Sequence, residues 1–290
     1  MKEITLEELL EAGCHFGHQL TRQNPKARDF VYDVKDGVQI IDLALTKKGL
    51  DSAAEFVKKL AQDPESSFLV VGTKRQAAPI VLAETLKARK TLEEKKIKSG
   101  IFTVTTRWIG GIFTNFTEVR KNCQKLKDIN ALFADEFARS KYTKKELLLM
   151  ERDKQKLEGF YGGILDMEKL PSAIFIIDTH LEQTSIREAS SMKVKTVGIV
   201  DTNSDPTLID YVIPANDDAV GSLQLIISHI IDAWVEGKLN PNKVEEVKEN
   251  EVKKEVVKEK KEEKKKEEVK EKKAKAASKE EKPAKKEKKK

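Results

Sequence analysis

The chain has 290 residues, 36% of them charged, and a formal net charge of +6. That charge is local: the stretch from Pro241 to Lys290 holds 21 Lys and 14 Glu with no aromatic residue, Leu or Ile. It cannot bury enough apolar surface to offset its ordering entropy, so a disordered tail is expected over 241–290. Residues 1–240 then carry 34 basic against 35 acidic groups, so the basic pI reports on the tail and gives the body no uniformly positive face for nucleic acid.

Cys14 and Cys123 lie far apart with no CxxC spacing, which suits a reduced cytoplasmic protein better than a disulfide framework. The start, MKEITLEELLEAG, reads as an acidic amphipathic helix without a basic n-region. The apolar run Leu223 to Ile231 is broken by Gln224, Ser228 and His229 and falls short of the roughly 20 residues a membrane span needs. A soluble cytosolic protein is expected.

In chain order, Thr5 with Glu8 writes a capping box for that first helix. Five short apolar runs read as buried parallel strands: Phe68 to Val71, Ile101 to Val104, Ala173 to Ile177, Thr196 to Val200 and Tyr211 to Ile213. Helical patterns alternate with most of them, and further capping boxes are expected at Thr73 with Gln76, Thr143 with Glu146 and Thr179 with Glu182. The expectation is an α/β fold with a doubly wound parallel sheet.

Between the second and third strands the pattern changes. Val119, Cys123, Leu126, Ile129 and Phe133 are spaced 4, 3, 3 and 4, the seam of a helix packed on a partner, and Leu147, Met150 and Leu157 offer the return face. This predicts an antiparallel helical hairpin over 117–157, turning in a polar loop near Ala138 to Lys141 and inserted in a sheet domain formed by 1–116 and 158–240. The hairpin holds 11 Lys or Arg against 7 Asp or Glu, making it a basic arm on a body otherwise acidic.

Ligands of doubly wound sheets bind beyond the carboxyl ends of the strands. Those positions read Gly72-Thr73-Lys74-Arg75, Thr105-Thr106-Arg107, Asp178-Thr179, Asp201-Thr202-Asn203 and Pro214-Ala215-Asn216. An enzyme acting on a phosphorylated metabolite would use Lys74 for phosphate and Asp178 or Asp201 as metal ligand or base. Without GxGxxG or GxxxxGK[ST], the plainer reading prevails, in which these residues cap helices and close turns. Cys14, His15 and His18 could begin a zinc site, but no fourth ligand lies nearby in sequence, and no metal or other cofactor is expected. GxSxG and HExxH are absent too, so no catalytic residue is assigned. Arg107-Trp108-Ile109-Gly110-Gly111 reads either as the hinge that launches the arm from a core tryptophan or as an arginine clamp for RNA.

Many ordered motifs carry a resemblance. They include Gly13-Cys14-His15-Phe16-Gly17-His18 with Asn24-Pro25-Lys26, Ile40-Ile41-Asp42-Leu43, Val70-Val71-Gly72-Thr73-Lys74-Arg75-Gln76-Ala77, and Arg107-Trp108-Ile109-Gly110-Gly111-Ile112-Phe113-Thr114-Asn115. Further along come Gly162-Gly163, Leu170-Pro171, Ile176-Ile177-Asp178-Thr179, Ile199-Val200-Asp201-Thr202-Asn203-Ser204-Asp205-Pro206, and Ile213-Pro214-Ala215-Asn216-Asp217-Asp218-Ala219. From about Leu6 to Gly237 the chain closely resembles the bacterial small-subunit ribosomal protein S2 family. The resemblance implies a flavodoxin-like or Rossmann-like sheet domain with a protruding helical hairpin, both touching small-subunit ribosomal RNA. It implies no catalysis, and it implies docking of neighbouring ribosomal proteins, among them the multi-OB-fold protein S1. Because phosphate contacts dominate such binding without a sequence code, the RNA-binding candidates are Arg22, Lys26 and Arg28 in the first loop, Lys74, Arg75 and Arg107 at the strand ends, and Lys121, Lys125, Lys141, Lys144 and Lys145 on the arm.

Overall fold

The computed structural model describes residues 3–241, so the tail expected over 241–290 falls, from Asn242 onward, outside the described residues. Helix α1 (Leu6–Glu11) starts at the expected capping box, with Thr5 accepting from the Glu8 amide and the Glu8 carboxylate accepting from the Thr5 amide. Three short strands follow, β1 (Phe16–Gln19), β2 (Val31–Lys35) and β3 (Val38–Ile41), paired antiparallel in the order β1-β3-β2. Asp36 and Gly37 close the β2–β3 hairpin with φ of 52° and 78°, the left-handed pair a tight hairpin turn demands. This small sheet was not among the predicted elements, because its strands are short and β2 is mostly exposed, so neither a long apolar run nor clean alternation marks them.

The main sheet is parallel throughout. Helix α2 (Leu43–Ala61) leads to β4 (Phe68–Val71), α3 (Ala77–Glu94) and β5 (Ile101–Val104). The arm comprises α4 (Phe116–Ala134), the single turn α5 (Glu136–Arg139) and α6 (Lys144–Tyr161), and the chain then returns through β6 (Ala173–Ile176), α7 (Gln183–Ser191), β7 (Lys195–Val200), β8 (Tyr211–Pro214) and α8 (Val220–Leu239). All five predicted strands form, each within one residue of its expected bounds at either end. Their order, β5-β4-β6-β7-β8, is the flavodoxin order 2-1-3-4-5, with the direction of winding reversing between β4 and β6.

Successive strand residues face opposite sides, so the strands feed two cores. Phe68, Val70, Phe175, Val197 and Ile199 pack with α2, α3 and α8, where Leu50, Val57, Ile227 and Trp234 are buried. Leu69, Val71, Ile174, Ile176 and Val200 pack on the other side with α7 and with the root of the arm, where Val119, Cys123, Leu126 and Tyr161 are buried. The seam residues Ile129 and Phe133 farther along α4 are only half-buried, as are Leu147, Met150 and Leu157 on α6. The arm is thus anchored in the sheet core and grows more exposed toward its tip. The polar loop expected near Ala138 to Lys141 is instead partly occupied by α5, whose start Asp135 caps by accepting from the Phe137 amide.

Two of the four capping boxes form, at Thr5 and at Thr143. The other two do not, because α3 and α7 begin only at Ala77 and Gln183, leaving each threonine in the turn beyond its strand. There both hydroxyls find long-range partners: Thr73 donates to the Glu182 carboxylate and Thr179 to the Ile199 carbonyl. Asn115 stands at the start of α4 but makes no side-chain cap bond. Among the described residues, no helix is long and apolar enough to cross a membrane.

Candidate functional site

The reversal between β4 and β6 opens the crevice where a sheet of this order places its ligands. Lys74, just beyond β4, extends its ammonium into a ring of carboxylates: 2.7 Å from Asp218, 2.8 Å from Asp217 and 3.4 Å from Asp178. Burial opposes its charge, but hydrogen bonds to Asp217 and Asp218 and the field of Asp178 overcome this and hold the amine well above the ordinary lysine range. Asp217 goes the other way. Burial, with Asp178 and Asp201 repelling its charge, raises it to about 7 despite Lys74.

His18 on β1 closes the other side, with Nδ1 3.1 Å from Asp201 and Nε2 3.4 Å from Asp218. The Asp201 carboxylate at this distance raises the affinity of this imidazole for its proton, against the effect of burial. The first loop is tied to the same strand end: the His18 amide donates to the Thr202 hydroxyl at 2.9 Å, the Asn24 amide to the Thr202 carbonyl at 2.9 Å, and Lys26 pairs with Asp205 at 2.7 Å. Lys26 and the Thr207 hydroxyl hold the Asp205 carboxyl down to about 2.

These contacts give the strand-end residues partners within the fold. Four carboxylates face one ammonium and one imidazole, so the crevice repels phosphate, and Lys74 is consumed by charge pairing. Asp201 takes the Asp217 amide at 3.4 Å as well as His18, which orders the turn after β7. His18, Asp201 and Asp217 bring one ligand atom each within 4.8 Å of one another, an imidazole-and-carboxylate set suited to a divalent ion. Sequence spacing hid this trio, since its members come from β1 and from turns after β7 and β8. Cys14 is buried and does not join it, and the His15 ring instead packs against Phe16 with centroids 3.9 Å apart.

The remaining predicted cations lie outside the ring. Arg22, Lys26 and Arg28 are exposed on the first loop, Arg22 near enough to Asp218 to help keep that carboxyl low. Arg75 and Arg107 are exposed beyond β4 and β5. On the arm, Lys121 pairs with Glu118 at 2.7 Å and Lys125 with Asp153 at 3.5 Å, both in exposed pairs. Lys141 lies over the Phe137 ring at 4.8 Å, and Lys144 and Lys145 are exposed in the first turn of α6. Exposed pairs of this kind stabilise by at most about 1 kcal/mol and exchange readily for a phosphate.

The family described as ribosomal protein S2 matches residues 9–237. The small ribosomal subunit protein uS2 of Geotalea uraniireducens (strain Rf4) is 44% identical over 237 residues, spanning 82% of this chain and 88% of that one. On both grounds the chain belongs to the ribosomal protein S2 family, a structural and non-enzymatic component of the small ribosomal subunit.

Proposed function

We propose that the chain holds small-subunit ribosomal RNA through two sets of exposed cations, one on the rim of the strand ends and one along the arm. The rim set is Arg22, Lys26, Arg28, Arg75 and Arg107; the arm set is Lys121, Lys125, Lys141, Lys144 and Lys145. Lys74 serves this surface from beneath, by offsetting part of the carboxylate charge that repels the backbone. The observation that carries the reading is this division of charge: the usual ligand crevice of the fold is acidic, while the accessible cations surround it and line the arm. In this reading residues 1–116 with 158–240 form the seat and 117–157 the gripping arm, and the protein works in the cytoplasm, bound to the ribosome.

Neighbouring proteins of the subunit dock on the same body. Phe16, Leu20, Tyr32 and Val34, on and beside the small sheet, are exposed large apolar side chains, and their exposure supports a protein contact, the multi-OB-fold protein S1 being the partner proposed.

Binding of the full chain to small-subunit ribosomal RNA, measured across salt concentrations, tests the RNA reading. The logarithm of the binding constant should fall linearly with the logarithm of salt, with a slope of about −0.7 to −0.9 for each phosphate engaged. Affinity that ignores salt, or equal affinity for an unrelated neutral polymer, contradicts it.

A further inference from the structure

Glu188 lies on α7 and is 8% exposed. Its carboxylate meets amides rather than a cation. Oε1 accepts from Trp108 Nε1 at 3.3 Å and from the Gly111 amide at 2.7 Å. Oε2 accepts from the Phe113 amide at 3.0 Å, the Thr114 amide at 3.4 Å and the Thr114 hydroxyl at 3.5 Å.

Every one of these donors belongs to the loop that joins β5 to α4. Amides converging on one point form a concave site for an anion, and here the chain supplies the anion itself. Gly111 makes the convergence possible with a φ of 96°, which a side chain would strain. Trp108 and Phe113 then meet edge to face, with centroids 5.2 Å apart, and close the loop over the second core. Arg107 stands exposed immediately before this fixed segment, and α4 leaves immediately after it.

We propose that Glu188 is a positioning residue of the RNA surface: its carboxylate fills the amide nest of the 107–115 loop and so fixes Arg107 relative to the root of the arm. This rests on the RNA reading above. The need is for a carboxylate in particular. A glutamine would turn an amide NH2 toward one of the two groups of donors, and an alanine would leave buried N–H groups without acceptors.

The test is a double-mutant cycle in the full chain, with Glu188→Gln, Arg107→Ala and both together, read as affinity for small-subunit ribosomal RNA. Each single variant should weaken binding by about five- to tenfold, and the double variant should be no more than about twofold weaker than either, since both act on the same interaction. Glu188→Gln should also change the fluorescence of Trp108 while the protein stays folded. Multiplying factors in the double variant overturn the proposal. So does wild-type binding by Glu188→Gln when Arg107→Ala is weakened, an outcome that leaves the RNA reading intact. Wild-type binding by Arg107→Ala overturns that reading for this loop and the proposal with it. Should Glu188→Gln not fold, Trp108→Phe takes its place: it keeps an aromatic ring in the core, removes the N–H together with part of the indole, and should weaken binding by about two- to threefold, again without adding to Arg107→Ala.

Discussion

The Lys74 ammonium lies 2.8 Å from an Asp217 carboxylate that is 1% exposed, and this pair offsets part of the charge at the acidic end of the sheet. Removing the cation leaves Asp217 buried beside Asp178 and Asp201 with only His18 near enough to balance it. Breaking such a pair costs about 3 to 5 kcal/mol. Lys74→Met should therefore lower the melting temperature by about 6 to 20 °C. Adding Asp217→Asn should restore much of the loss. Calorimetry of the three variants checks this, and an unchanged melting temperature for Lys74→Met contradicts the structural role.

A second lysine does comparable work at the opposite end of the sheet. Lys238, 3% exposed near the end of α8, donates to the carbonyls of Asp63 at 2.8 Å, Pro64 at 3.2 Å and Ser66 at 3.0 Å, and lies over the Trp234 ring at 4.9 Å. It joins the last helix to the connection between α2 and β4. Lys238→Met should keep the stem packed and lose the hydrogen bonds, at about 1 to 3 kcal/mol. Urea unfolding should show a lower midpoint with an unchanged slope. A midpoint equal to wild type would refute the assignment.

The pH dependence of stability has one clear contributor in His229. It lies on α8, 6% exposed, and burial pulls its proton affinity below the ordinary histidine range against Asp51 on α2 and Asp232 on its own helix. The folded state thus disfavours a proton that the unfolded chain accepts below about pH 6.5. The contribution is complete above that pH and is lost as pH falls through it, with a slope of at most about 1.4 kcal/mol per pH unit. Between pH 7 and pH 5, wild type should lose more stability than His229→Gln; parallel curves would exclude His229 as the source.

Much of this architecture was legible in the sequence, and the misses have specific causes. The strands of the main sheet are buried on both faces, so Phe68 to Val71 and Ala173 to Ile176 announce themselves as continuous apolar runs. The β2–β3 hairpin had a readable signal in Asp36-Gly37, but its strands carry little apolar pattern. Thr73 and Thr179 looked like caps because a capping box is a local pattern, whereas their hydroxyls are taken by Glu182 and Ile199 from distant segments. For the same reason nothing local in the sequence signals the ion pairs of Lys74: its three carboxylates lie more than 100 positions away in the chain. Glu188 gave no sequence signal, since most of its donors are backbone amides of a distant loop.

On the arm, changing Lys141, Lys144 and Lys145 together to Glu separates binding from folding. None of the three lies in the seam, and Lys144 and Lys145 occupy the first turn of α6, where acidic side chains suit the helix dipole and the Thr143–Glu146 capping box persists. The melting temperature should hold, while RNA affinity falls by about tenfold or more and the salt slope shrinks by about 0.7 to 0.9 for each phosphate no longer engaged. An unaltered slope removes the arm tip from the interface and leaves the rim cations to carry it.

The most direct measurement is where the protein travels in growing cells. Gradient sedimentation of a lysate, with the chain quantified across the fractions, should find nearly all of it with small subunits and whole ribosomes, and stripping with high salt should release it as the phosphate charges are screened. A predominantly free pool in rapidly growing cells would contradict the account.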